Sequence, residues 1–192
     1  MPQALNLVHG FYHLKVADPE INEMKNFINQ IPEDNYRHNQ LSYEDDHRDI
    51  YVEKYRSCEI YAPPEDSVFF RVGRKIFHYI NSKHFEYDLA DKFEFQILKY
   101  RPGGHYEWHI DYGSCFYYGL DRKLSMSIQL SDENEYDGGE LEIKASGDQV
   151  TTAGKPLGSV IVFDSKVTHR ARPVTKGERI VMVGWAAGPK LR

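Results

Sequence analysis

The stretch Lys123-Leu124-Ser125-Met126-Ser127-Ile128-Gln129-Leu130-Ser131 alternates without a break. Leu124, Met126, Ile128 and Leu130 take one face, and Ser125, Ser127, Gln129 and Ser131 take the other. A period of two is that of a β-strand. Working outward, residues 93–100, 106–112, 139–144, 159–163 and 179–187 are further short runs bounded by turn residues. Short strands at this spacing predict a sandwich or jelly roll. Gly138-Gly139 reads as a turn between two of them.

The first half of the chain mixes helix and strand. Asp18-Pro19-Glu20 has the chemistry of a helix start: a capping side chain, Pro in the first turn and an acid near the positive end. Ile21, Met24, Phe27, Ile28 and Ile31 follow at helical spacing. Residues 67–85 predict a second helix with Phe70, Ile76, Phe77 and Ile80 on its buried side. Residues 49–62 read as a strand or two, and residues 41–49, rich in Asp and Glu, as a solvated loop. The fold class expected is mainly β with flanking helices, the N-terminal helices packed on one sheet. The 192 residues are expected to form one domain, with 1–92 as support and 93–188 as the β core.

Composition narrows the function. Hydrophobic residues make up 41% and charged residues 28%, a soluble globular profile. The net charge of −5 lacks the cationic footprint of a phosphate-backbone binder. Cys58 and Cys115 form no CxxC pair, which argues against structural zinc or a disulfide scaffold. No apolar run has membrane-spanning length, and residues 1–10 lack a charged region followed by an apolar block. The expectation is a cytoplasmic protein with no membrane or nucleic-acid partner, monomeric or weakly dimeric.

Within Tyr106-Glu107-Trp108-His109-Ile110-Asp111, strand alternation would aim His109 and Asp111 the same way, about 6–7 Å apart along the chain. An HxD pair alone is a weak metal signal. His169 follows an apolar strand and would complete two imidazoles and one carboxylate, the facial set of non-haem iron(II) oxygenases. By itself His169 reads more readily as a surface residue beside Arg170. Arg179 shares a strand face with Val181, Val183 and Trp185. It is either an inward guanidinium that needs an anion or the solvated start of a strand.

Taken in order, these segments resemble the prolyl 4-hydroxylase-like branch of the 2-oxoglutarate oxygenases. Tyr100-Arg101-Pro102-Gly103-Gly104-His105-Tyr106 leading into the HxD, then Tyr136-Asp137-Gly138-Gly139-Glu140-Leu141, then His169 through Pro173-Val174, Gly177 and Arg179 are similar to the family's motifs in one collinear order. The PKHD-type hydroxylases look nearest, having Arg at the Arg179 position. The resemblance implies a double-stranded β-helix, a jelly-roll variant. It implies iron(II) on His109, Asp111 and His169, with 2-oxoglutarate and O₂ as co-substrates and ascorbate as a reductant. Arg179 would pair with the far carboxylate of 2-oxoglutarate and Tyr100 would hydrogen-bond the same group. Tyr106 and Trp185 match aromatic positions near the metal. Because Asp111 is present, halogenation is disfavoured.

Three activities follow from such a core: hydroxylation of a prolyl or other residue of a peptide or protein, hydroxylation of a free amino acid or other small molecule, and nucleic-acid dealkylation. The last ranks lowest, because Val181-Met182-Val183-Gly184-Trp185 carries no second Arg. Residues 112–120, with Tyr112, Phe116, Tyr117 and Tyr118, are either a substrate-covering loop or a packed edge; Cys115 there reads as incidental.

Overall fold

The computed structural model describes residues 5–8, 11–38, 54–113, 119–146 and 149–190. The acidic segment 41–49 and residues 114–118 of the aromatic segment, including Cys115, lie outside the described residues.

Strands β1 (Leu5–Val8) and β2 (Phe11–Lys15) come first, then helix α1 (Asp18–Ile28). Short strands β3 (Arg37–His38), β4 (Arg56–Ser57) and β5 (Glu59–Tyr61) precede helix α2 (Val68–Ile80). The second half is β6 (Lys92–Tyr100), β7 (His105–His109), β8 (Leu120–Gln129), β9 (Tyr136–Gly138), β10 (Leu141–Ser146), β11 (Gln149–Thr152), β12 (Ser159–Asp164), β13 (Thr168–Ala171), β14 (Val174–Gly177) and β15 (Arg179–Pro189). Among the described residues these form a large sheet ordered β1-β2-β12-β8-β15-β6-β5-β3, a smaller one ordered β11-β10-β13-β7-β4, and the pair β14-β9.

The alternation in β8 assigns the two faces of the large sheet. Leu124, Met126, Ile128 and Leu130 are buried in the main core, with Phe95, Val162 and Met182 from neighbouring strands. Both helices pack on this face. α1 contributes Ile21, Met24 and Ile28; α2 contributes Phe69, Phe77 and Ile80. Phe70 and Phe77 meet Phe95 and Phe93 at ring separations of 4.7 and 5.9 Å. Fully burying such an aromatic side chain contributes roughly 1.5–3 kcal/mol. The polar face of β8 is also buried: Ser125, Gln129 and Ser131 are at most 5% exposed. It looks toward the smaller sheet, and the functional site lies between the two.

The helix bounds differ from expectation in two places. The residue preceding α1 is Ala17, and no side chain caps the helix, so Asp18 acts as a first-turn acid rather than a cap. α2 stops at Ile80 and runs on into a π-helical turn, Asn81–Phe85. Strands β1, β2, β3, β9, β11, β13 and β14 had no counterpart among the expected strands; the last three are each four residues long. Among the described residues no helix is long and apolar enough to cross a membrane.

Candidate metal centre

β7 and β13 are antiparallel neighbours, and His109 lies directly opposite His169 in their register. This cross-strand pairing brings the two imidazoles to a ring separation of 4.1 Å. Asp111 joins them by another route. β7 ends at His109, so Asp111 is not on the strand as alternation had required. Instead, the backbone N–H groups of Asp111 and Tyr112 both donate to the Ser165 carbonyl, at 2.9 Å each. That carbonyl belongs to the turn between β12 and β13. Asp111 Oδ1 then stands 3.7 Å from His109 Nε2, and Oδ2 stands 3.5 Å from His169 Nε2. One ligand atom from each residue falls within a 4.8 Å cluster.

The surrounding groups prepare these side chains as ligands. A carbonyl can only accept, so His109 Nδ1–H donates to the Glu107 carbonyl (2.7 Å) and His169 Nδ1–H to the Val167 carbonyl (3.0 Å). Both Nε2 lone pairs are left free to bind a cation. Burial, followed by the charge His169 would carry, holds the His109 imidazole well below its usual pKa and therefore neutral. Burial alone would raise the Asp111 carboxyl, but the two histidines, the Trp185 indole and the Ser125 hydroxyl bring it below its usual value. Ser125 Oγ donates to Asp111 Oδ2 at 2.8 Å and lies 2.9 Å from Ser165 Oγ. Two imidazoles and one carboxylate, all largely buried, suit iron(II).

The other predicted residues line the same cavity as the three candidate ligands. Arg179 and Tyr100 are cross-strand partners on β15 and β6, both buried, with the guanidinium carbon 5.5 Å from the Tyr100 ring centre. Arg179 is thus inward-facing, not the solvated start of a strand. Among the described residues no carboxylate lies within ion-pair distance of it. Its polar neighbour is the Tyr136 phenol. Gly139 makes room for it: at φ +64°, a Cβ there would stand 2.9 Å from Arg179 Cδ. Tyr106 stacks on His109 with ring centres 3.5 Å apart. Trp185 is opposite Ser125 in register.

Sequence reasoning missed Ser125 and Ser165 as supports of Asp111, and Arg56, which lines the cavity from β4. Ser125 was visible only as one member of the polar face of β8. Nothing local marks Arg56 among the 24 Lys and Arg.

Residues 95–187 match the sequence model of the 2OG-Fe(II) oxygenase superfamily. The iron(II) and 2-oxoglutarate named in that family's description agree with the His109–Asp111–His169 donor set. The similar curated proteins are PKHD-type hydroxylases. A PKHD-type hydroxylase of Synechococcus sp. (strain CC9605) is 39% identical over 89 residues, 46% of this chain and 39% of that protein. The match thus spans about two-fifths of the relative's length. In three dimensions the chain resembles a prolyl-4-hydroxylase from Pseudomonas putida (TM-score 0.74, 19% identity, 95% of each chain). It also resembles a prolyl hydroxylase from Trichoplax adhaerens in complex with a hypoxia inducible factor peptide fragment (TM-score 0.73, 16% identity, 93% of this chain and 84% of that one). These two likenesses confirm the expected fold: mainly β, with N-terminal helices on one sheet of a double-stranded β-helix.

Proposed function

We propose that this protein is an iron(II)- and 2-oxoglutarate-dependent dioxygenase that hydroxylates an unactivated C–H bond, most simply on a prolyl or other residue of a peptide or protein. The observation that carries this reading is one cavity holding a two-His, one-carboxylate cluster together with a buried arginine that has no carboxylate partner among the described residues. His109 Nε2, His169 Nε2 and an Asp111 oxygen would hold the metal. Iron(II), when bound, supplies the redox chemistry that couples decarboxylation of 2-oxoglutarate to hydroxylation, with release of succinate and CO₂. Arg179 would take the far carboxylate of 2-oxoglutarate through its planar fork, and Tyr100 would donate its hydroxyl to the same group. Tyr106 and Trp185 would keep water from the metal and fix the orientation of His109 and Asp111. Residues 1–192 would work as one domain, the helical part supporting the 93–188 core.

The peptide assignment draws on the Trichoplax adhaerens neighbour, which was captured with a peptide fragment. A second reading, a free amino acid or other small molecule as substrate, is favoured by Arg56 in the cavity wall. The deciding experiment measures succinate release with iron(II) and 2-oxoglutarate against proline peptides, free amino acids and methylated oligonucleotides. Peptides should stimulate release and oligonucleotides should not. His109→Ala and Asp111→Ala should abolish metal binding and turnover, and undiminished succinate from either would overturn the assignment.

A further inference from the structure

The metal cavity contains a second buried guanidinium that the reading above does not use. Arg56 is 5% exposed and stands on β4, the edge strand of the smaller sheet, directly opposite Tyr106. Its Nε donates to Cys58 Sγ at 3.1 Å, and its guanidinium carbon lies 4.7 Å from the Tyr106 ring centre. A thiol is a weak acceptor and a phenol ring gives only a cation–π contact. Among the described residues no carboxylate pairs with Arg56. A cation buried on these terms is costly until an anion meets it.

The charges in the cavity identify which anion is missing. On the reading proposed above, 2-oxoglutarate brings two carboxylates, one for the metal and one for Arg179. Asp111 is committed to the metal and to Ser125. Arg56 is left over. It also faces from a different wall: Arg179 projects from the large sheet, whereas Arg56 belongs to the smaller sheet and packs against the Tyr106 ring that stacks on His109.

We propose that Arg56 anchors a carboxylate of the molecule that is hydroxylated. This rests on the iron and 2-oxoglutarate reading and narrows its substrate class. Arg56 packs on the Tyr106 ring that stacks on His109, so a carboxylate held there lies beside the metal ligands and belongs to the same residue-sized unit as the reacting C–H. An internal peptide residue flanked by amides offers no such group unless its side chain is acidic. A free amino acid or a C-terminal residue does.

The test compares matched acids and carboxamides: free L-amino acids with their amides, and peptides ending in proline with their C-terminal amides. Succinate release is measured with iron(II) and 2-oxoglutarate. In the wild type the acids should exceed their amides by at least about tenfold in kcat/KM, the scale expected when one partner of a buried charge pair is removed. Stimulation by free amino acids or only by peptide acids identifies the source of the carboxylate. Arg56→Met should bring the acid-to-amide ratio to within about twofold, and Arg56→Lys should keep part of it. Calorimetry under anaerobic conditions should leave the 2-oxoglutarate Kd of both variants within about threefold of wild type, because Arg56 does not hold the co-substrate. Three results would overturn the inference: no stimulation by any acid, acids and amides equal in the wild type, or a preference that survives in Arg56→Met. Loss of 2-oxoglutarate affinity in that variant would do the same by making Arg56 a co-substrate anchor. If the wild type itself binds no 2-oxoglutarate, the parent reading fails, and this one with it.

Discussion

Replacing Arg179 by Met tests the co-substrate site while sparing the packing. Methionine keeps an apolar stem beside the Tyr100 ring but removes the guanidinium. In the wild type that group is 5% exposed and without a carboxylate partner among the described residues. Opposite unit charges about 4 Å apart attract by about 4 kcal/mol at an effective dielectric of about 20. Desolvating the incoming carboxylate offsets part of this. Truncating one side of a buried, hydrogen-bonded charge pair costs about 2–5 kcal/mol. A loss of about 3 kcal/mol corresponds to roughly a 150-fold rise in Kd. The assay is calorimetric titration of the anaerobic iron(II)-loaded protein with 2-oxoglutarate. The same argument fixes the sign of the stability change. Without ligand, Arg179 is a buried cation with no anionic partner among the described residues, so its removal should leave the ligand-free protein as stable or more stable, by about 0–2 kcal/mol. For a chain of this size that is a rise of up to roughly 4–8 °C in Tm. A Kd within threefold of wild type would refute the carboxylate role. A Tm that falls by more than about 5 °C would show that Arg179 is instead a structural member of the sheet.

Other outcomes follow from the same geometry. Ser125→Ala removes a donor to Asp111 Oδ2 and should weaken metal binding by roughly 10–100-fold in a competition titration, with the fold kept. Gly139→Ala forces a side chain into positive φ and within 2.9 Å of Arg179 Cδ and Val174 Cγ2. It should cost about 1–3 kcal/mol in urea unfolding and raise the 2-oxoglutarate Kd, and a neutral result on both would place Arg179 elsewhere. The pH response has a definite sign. The folded pKa of His109 lies below its ordinary value of 6.5, so the unfolded chain binds a proton first as pH falls. The metal-free protein should therefore hold full stability above that pH and lose about 1 kcal/mol between pH 6.5 and 5.5. His109→Gln should flatten that slope, as read from urea midpoints.

Alternation in 123–131 was enough to identify a central strand, because side chains on opposite faces of a pleated sheet must match two environments. It did not reveal that the polar face is buried too, with Ser125 and Gln129 almost fully covered. Periodicity reports which residues share a face. What covers that face depends on a second sheet assembled from distant segments. The same limit explains the short strands that were missed. β13 has four residues, too few for a pattern, yet its register against β7 sets His169 beside His109.

By itself the sequence determined the two helices' apolar faces and the main strands, because these follow from local periodicity; the order of His109, Asp111, His169 and Arg179 was legible only as a resemblance to a family's motif. Only the tertiary structure decided how Asp111 is aimed. The strand ends before it, and two backbone hydrogen bonds to Ser165 do the work expected of alternation. Only the tertiary structure made Arg179 a buried cation with no carboxylate partner among the described residues, and brought Arg56 into the same cavity from 53 residues before His109. Burial and charge pairing are properties of what surrounds a group, and sequence spacing does not carry them.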